Sequence, residues 1–233
     1  MKLEVLFEDE YLLACVKPAG VPSQSDKSND EDMVTIVKSY LFDNSDSNEE
    51  PYVSILHRLD RPVGGVMIFA KTKDVAANLS KQQQEGNMTK YYQAIVTGEL
   101  PEEYGEFNDY MVKDSKTNLS RICNKNEAGA KLASLSYELL DEFETDEGIL
   151  DYILIKLNTG RHHQIRLQMA SRGCGIWGDT KYNPKFKNKK TKFKQIALFS
   201  SRIELKHPVT GEQMIFKKEP YGKAFDIIEL DEF

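Results

Sequence analysis

His57-Arg58-Leu59-Asp60-Arg61-Pro62-Val63-Gly64-Gly65-Val66-Met67-Ile68-Phe69-Ala70-Lys71 sets a carboxylate between two arginines, just ahead of a proline, a Gly-Gly pair and an unbroken apolar run. Such a run reads as a strand buried on both faces, which leaves Asp60 on a turn at the mouth of a core strand. Rigid scaffolds hold reactive side chains at such places. Arg58 and Arg61 are expected to keep the Asp60 carboxyl ionised, because nearby opposite charge favours the charged form. An ionised, positioned carboxylate serves as nucleophile, base or ion-pair partner. A surface turn with a salt bridge is the plain alternative.

Outward toward the N-terminus, Leu3–Phe7 and Tyr11–Val16 read as strands around the acidic turn Glu8-Asp9-Glu10, and Met33–Phe42 as a helix with Val34, Val37, Tyr40 and Leu41 at apolar spacing. Lys17-Pro18-Ala19-Gly20-Val21-Pro22 is a rigid turn, since each proline fixes its own backbone and extends the residue before it. Lys17 is thereby delivered at a strand end, either as a surface lysine or to shape a pocket floor or meet a phosphate. Outward in the other direction, Asp74 is placed to cap a helix through Gln84 that Gly86 closes. Met88–Gly98 alternates as a strand, with Tyr91 and Tyr92 on opposite faces. Glu106–Lys113, Leu119–Cys123, Lys131–Leu140 and Ile149–Leu157 give four more strands. Thr159 is placed to cap a helix from Arg161 to about Ser171, with Arg161, Gln164, Ile165 and Gln168 toward one face and Arg161 among the free N–H groups of the first turn. Gln195–Leu205 and Gln213–Lys217 are the last strands.

The composition, 40% hydrophobic and 29% charged over 233 residues, is that of a globular protein able to bury a substantial core. No apolar run approaches a membrane span and the N-terminus leads straight into a strand pattern, so a cytoplasmic protein without membrane contact is expected. Cys15, Cys123 and Cys174 are odd in number and scattered, which indicates neither a disulfide frame nor a zinc site. The net charge of −6 argues mildly against nucleic acid, yet Lys181, Lys185, Lys187, Lys189, Lys190, Lys192 and Lys194 follow one another with no acid between them. That loop is either a solvated surface or a phosphate contact. His162 and His163 adjoin Gln164, but neighbours on a helix diverge by about 100° and no carboxylate lies at ligand spacing, so a metal is not expected. His163 is read as a structural hydrogen-bonder.

Four segments, in order, resemble the RluA family of pseudouridine synthases. His57–Asp60 with its Gly-bearing turn and the strand ending Ala70-Lys71-Thr72 is similar to the family's catalytic motif. Lys17-Pro18-Ala19-Gly20 resembles its Lys-Pro-x-Gly turn, Lys90-Tyr91-Tyr92-Gln93-Ala94-Ile95-Val96-Thr97-Gly98 its Lys-x-Tyr-x-Ala-x-Val-x-Gly strand, and Thr159–Arg166 its Thr-Gly-Arg-x-His-Gln-Ile-Arg segment. The chain departs from the family at Pro62-Val63-Gly64-Gly65, where Thr-Ser-Gly is commoner, and at His162, where threonine is usual. It is also expected to start at the catalytic domain, without the small N-terminal RNA-binding module of many relatives.

The resemblance implies a single α+β domain over residues 1–233, built on a mixed, mostly antiparallel sheet flanked by helices and long loops. It implies isomerisation of uridine in ribosomal or transfer RNA, without cofactor or metal and without an obligatory protein partner, by a protein expected to be a monomer. The ribose-to-nitrogen bond of uridine must break, the base turn, and the bond re-form through carbon. Asp60 would be the carboxylate, attacking sugar or base or removing a proton, Tyr92 the stacking surface and Arg161 the cation. A uridine in a stem must be flipped out first. Arg58 would then either fill the gap left by the base or pair with an acid, Ile165 would be core or pocket wall, and Lys181, Lys187, Lys189 and Lys190 would meet the RNA. A catalytically inactive RNA-binding protein of the same fold is the rival, and an N-glycoside hydrolase lacks its second carboxylate.

Overall fold

A computed structural model of the chain describes residues 2–25, 30–146, 148–187 and 194–228. In chain order its elements are β1 (Glu4–Glu8), β2 (Leu12–Lys17), α1 (Met33–Asp43), β3 (Ser54–Ile55), β4 (Gly64–Ala70), α2 (Lys73–Gln84), β5 (Thr89–Thr97), β6 (Tyr104–Asp114), β7 (Leu119–Cys123), β8 (Lys131–Thr145), β9 (Gly148–Leu157), α3 (Gln164–Ala170), β10 (Gly175–Ile176), β11 (Leu198–Lys206) and β12 (Gln213–Lys217). The fold is a mixed, mostly antiparallel sheet with three helices among the described residues, the class expected from the sequence. Among those residues no helix is long and apolar enough to cross a membrane. The elements fall into two compact units, residues 1–90 with 200–219 and residues 91–199 with 220–233.

In the first unit the hydrogen-bonded order is β1-β2-β4-β11, with β3 beside β4 and β12 beside β11. Every residue of β4 is buried, as its unbroken apolar run requires. Val66, Ile68 and Ala70 join Leu12, Ala14, Ile203, Leu205 and Phe216 under Val75 and Leu79 of α2. Met67 and Phe69, which strand alternation turns to the opposite face, are also 0% exposed. Gly65 has φ +124°, and a Cβ there would lie 2.4 Å from the Ser200 carbonyl oxygen. Gly65 is thus what lets the entry of β4 run against the β11 backbone.

Two helix details differ from expectation. The α1 face that goes inward is Met33, Ile36, Val37 and Leu41, with Val34 and Tyr40 half-buried. Asp32 accepts from Thr35 N–H at 3.0 Å and Pro22 O accepts from Met33 N–H at 3.0 Å, which fixes the start of the helix and so its phase. In α2 the cap is Thr72, whose extended backbone ends the strand and whose Oγ1 accepts from Val75 N–H. Asp74 falls one step inside, where its charge suits the helix N-terminus.

In the second unit the order is β5-β9-β8-β6-β7, with β10 beside β5. The four strands read between residues 106 and 157 are all present. β8 runs a few residues further out than expected because the β8–β9 hairpin continues to the Thr145↔Gly148 pair past a bulge at Leu139/Asp141, and β6 starts earlier through its Tyr104↔Glu138 pair with β8. The helix α3 is docked by Gln168, 0% exposed, whose amide nitrogen donates to Asp109 Oδ2 at 2.7 Å and to the Phe107 and Ala133 carbonyls at 3.3 Å.

Candidate active site

The turn that carries Asp60 is built in the first unit from alternating burial: His57 and Leu59 point in, whereas Arg58 is exposed and Asp60 half-buried. Arg58 and Asp60 therefore share a side, as expected of a locally extended turn. Val63 N–H closes it on the Asp60 carbonyl at 2.9 Å. His57 Nε2 accepts from Ile68 N–H at 3.3 Å, pinning the turn to the middle of β4. Burial, with a smaller push from the Lys90 ammonium, lowers its imidazole pKa to about 3, so it is neutral at any working pH.

That depression has a measurable consequence. Between pH 6.5 and about 3 the unfolded chain carries a proton on His57 that the folded chain refuses, so this group's contribution to stability is lost as pH falls through that window. Urea midpoints of the wild type and His57→Leu at pH 7, 5.5 and 4.5 should diverge, the wild type losing about 1.4 kcal/mol more per pH unit once below 6.5. Parallel curves would mean that His57 is not the group responsible.

Sequence reasoning expected Arg58 and Arg61 to supply the cation near Asp60; the structure adds a buried lysine in electrostatic interaction with it. Lys17 is 0% exposed and stands opposite Gly65 in the β2–β4 register. Its Nζ donates to the carbonyls of Val21 (2.7 Å), Pro18 (3.1 Å) and Arg61 (3.3 Å). Burial lowers its pKa to about 7, a fall opposed by the charge of Asp60 and furthered by that of Arg61. Lys17 is therefore neither the surface lysine that was one expectation nor a phosphate contact, since no face of it reaches solvent and three carbonyls occupy the ammonium. Leu13, Cys15 and Lys17 share one face of an otherwise apolar strand, which is what carries the lysine inward. Arg61 sends Nε to the Gly20 carbonyl at 3.0 Å and forms an ion pair with Asp30.

The other candidates lie in the second unit. On β5 the alternation holds: Tyr92 is 6% exposed and Tyr91 half-buried. Ile165 is 5% exposed on α3. Arg161 is not in that helix, a correction to the expected start at residue 161. His163 is left-handed at φ +53° and α3 begins only at Gln164. Thr159 does not cap it either. Instead Gln164 reaches back, its Oε1 accepting from Arg161 N–H (3.0 Å) and from the Thr159 hydroxyl (2.8 Å). Arg161 is exposed, with Nε donating to the Leu132 carbonyl at 2.8 Å, so its guanidinium is braced on β8 instead of sitting over a helix N-terminus.

The kink at His163 also overturns the expected divergence of the histidines: their rings stack, centroids 3.7 Å apart and 28° from parallel. His163 is the structural hydrogen-bonder expected, with Nδ1 2.7 Å from Tyr182 Oη, which accepts from Ser120 N–H at 2.8 Å. Ser120 Oγ donates to the His162 carbonyl at 2.8 Å and lies 2.9 Å from His162 Nδ1. Arg166 and Asp179 form a buried two-point ion pair at 2.8 and 2.7 Å, and Asp179 Oδ1 accepts from Lys181 N–H at 2.9 Å. Residues 179–182, which open the lysine stretch, are thereby tied to the segment bearing Arg161. Lys181 and Lys187 are exposed, and Lys189 and Lys190 lie outside the described residues. Ser120, Tyr182 and Asp179 were missed by sequence reasoning, and no spacing rule links them.

A family model described as RNA pseudouridylate synthase matches residues 11–171. The chain, along its full length, is 31% identical to the tRNA pseudouridine synthase C of Vibrio parahaemolyticus and covers 97% of it. It is 30% identical over 92% of its length to the dual-specificity RNA pseudouridine synthase RluA of Haemophilus influenzae, covering 91% of that protein. The human RNA pseudouridylate synthase domain-containing protein 1 superposes with a TM-score of 0.74 at 19% identity, covering 94% of this chain and 84% of that one, a likeness of fold.

Proposed function

The chain belongs to the RNA pseudouridylate synthase family, and we propose that it isomerises specific uridines in structured ribosomal or transfer RNA with Asp60 as the catalytic carboxylate. The observation that carries this reading is the Asp60 turn itself, a half-buried carboxylate on a turn pinned to a fully buried strand and in electrostatic contact with the buried Lys17 ammonium. In the reaction the bond from C1′ to N1 breaks, a bond from C1′ to C5 forms, the C5 proton leaves and N1 takes up a proton, so the product is an isomer of uridine. Asp60 attacks the sugar or the base, or takes that proton. Tyr92 stacks on the uracil, Arg161 supplies a cation, Ile165 walls the base, and Arg58 fills the space left by the flipped nucleotide. The near relatives named for transfer and ribosomal RNA support RNA as the substrate class.

The test is release of tritium from transcripts carrying uridine labelled at C5, since only a reaction that replaces that hydrogen releases it. Release with pseudouridine at one or a few positions is the expected result. Binding without release would instead make the chain an inactive RNA-binding protein. Exposed Lys181 and Lys187 are proposed phosphate contacts, as are Lys189 and Lys190. Lys181→Ala with Lys187→Ala should weaken RNA binding and flatten the slope of log K against log salt by about 1 for each phosphate that is no longer neutralised. An unchanged slope would remove these two lysines from the interface.

A further inference from the structure

Both neighbours of Asp60 are held twice by the loop that follows β2. On one side Ser23, 5% exposed, donates its hydroxyl to the Leu59 carbonyl at 2.7 Å and accepts from Leu59 N–H at 3.0 Å. On the other, the Arg61 carbonyl accepts from Gly20 N–H at 2.7 Å and from Lys17 Nζ at 3.3 Å, while Arg61 Nε returns to the Gly20 carbonyl at 3.0 Å. Asp60 is suspended between the two brackets. Ser23 acts as a strand partner would, offering a donor and an acceptor to one residue, but from a single rotatable oxygen. That oxygen sits 3.8 Å from the Met67 sulfur, in a site otherwise suited to an apolar side chain.

We infer that Ser23 is a positioning residue for Asp60: by gripping both polar groups of Leu59 it fixes the backbone rotation that aims the carboxylate. The inference rests on the reading of Asp60 as the catalytic carboxylate and deepens it. A reacting atom misplaced by about 1 Å costs on the order of 100-fold in rate, so the grip is worth more to turnover than to binding. Nothing in the sequence marks Ser23, which is 36 positions from its partner.

Ser23→Ala removes both bonds, Ser23→Cys keeps the bulk with a sulfur that bonds weakly, and Ser23→Thr keeps the oxygen. In single-turnover tritium release Ser23→Ala should slow the step by roughly 10- to 100-fold with RNA affinity within about twofold of wild type, Ser23→Cys should fall between, and Ser23→Thr should recover most of the rate. If the alanine variant does not fold, the Cys/Thr contrast carries the comparison. On the free protein, amide hydrogen exchange at residues 59–63 should quicken by about tenfold or more in Ser23→Cys, with residues 66–70 unchanged. A wild-type rate in both Ser23→Ala and Ser23→Cys, or unchanged exchange at 60–63, overturns the inference. A wild type that releases no tritium counts against the function, and the exchange data on the free protein then decide by themselves whether Ser23 holds the turn.

Discussion

Asp60→Asn is expected to lower pseudouridine formation by ~10³-fold or more while the protein still folds and still binds RNA. Asparagine fills the same space and keeps a polar side chain, but it cannot carry the charge needed to attack carbon or to take the C5 proton. The turn is expected to survive because bonds outside the carboxylate also hold it: Val63 N–H on the Asp60 carbonyl, Gly20 N–H on the Arg61 carbonyl, and Ile68 N–H on His57. One side effect separates the loss of chemistry from a loss of fold. The charge of Asp60 partly offsets the burial that lowers the Lys17 pKa to about 7, so without it that pKa drops further. A lysine whose folded pKa lies below its unfolded 10.5 makes stability rise with pH between the two values, and the variant widens this window at its lower end. Titrating stability from pH 6 to 10 in both proteins, beside the tritium assay, checks the pair of effects. Turnover retained in Asp60→Asn removes Asp60 from the chemistry, and an unchanged pH window means that Lys17 does not sense it.

Much of this architecture is legible residue by residue where local chemistry and tertiary context agree. The run Val66–Ala70 reads as a two-faced strand because it is buried on both sides, and the alternation at Tyr91/Tyr92 is correct because β5 buries one of them more deeply. Legibility fails where one residue overrides the local pattern. The apolar spacing after Gly160 is helical, yet a left-handed His163 delays the helix to Gln164, and only the stacked histidines and the Tyr182 bond reveal what holds it there. It fails again where partners are far apart in the chain. Gly20 and Arg61, Ser23 and Leu59, or Ser120 and Tyr182 meet through folding alone, and a single hydroxyl or amide leaves no periodic trace. The roles given to Asp60, Tyr92 and Arg161 came from resemblance, not periodicity. Generic grounds make Tyr92 a core residue, and its 6% exposure is compatible with that too.

Disrupting the Arg166–Asp179 pair is expected to produce the largest loss of stability. The two side chains are 4% and 1% exposed and meet through two hydrogen bonds, Nε to Oδ2 at 2.8 Å and the second to Oδ1 at 2.7 Å. Asp179 Oδ1 also accepts from the backbone of Lys181 and Tyr182, and the Arg166 guanidinium carbon lies 5.3 Å from the centre of the Tyr182 ring. Asp179→Ala takes its carboxylate partner from a buried guanidinium and an acceptor from two backbone N–H groups at once, which costs about 3–5 kcal/mol. Arg166→Met leaves a carboxylate still bonded to those N–H groups and should cost less. Replacing both, with Met and Leu, should cost less than the two single changes added together, because the attraction removed by each is the same one. Burial keeps added salt from screening the pair, so the urea midpoints should shift alike at low and high ionic strength. The consequence for RNA follows from position: with residues 179–182 released, Lys181 loses its footing, and a folded Asp179→Ala protein should bind RNA more weakly than Lys181→Ala does. A loss below about 1 kcal/mol, or one that high salt erases, would show the pair to be no more than an exposed ion pair.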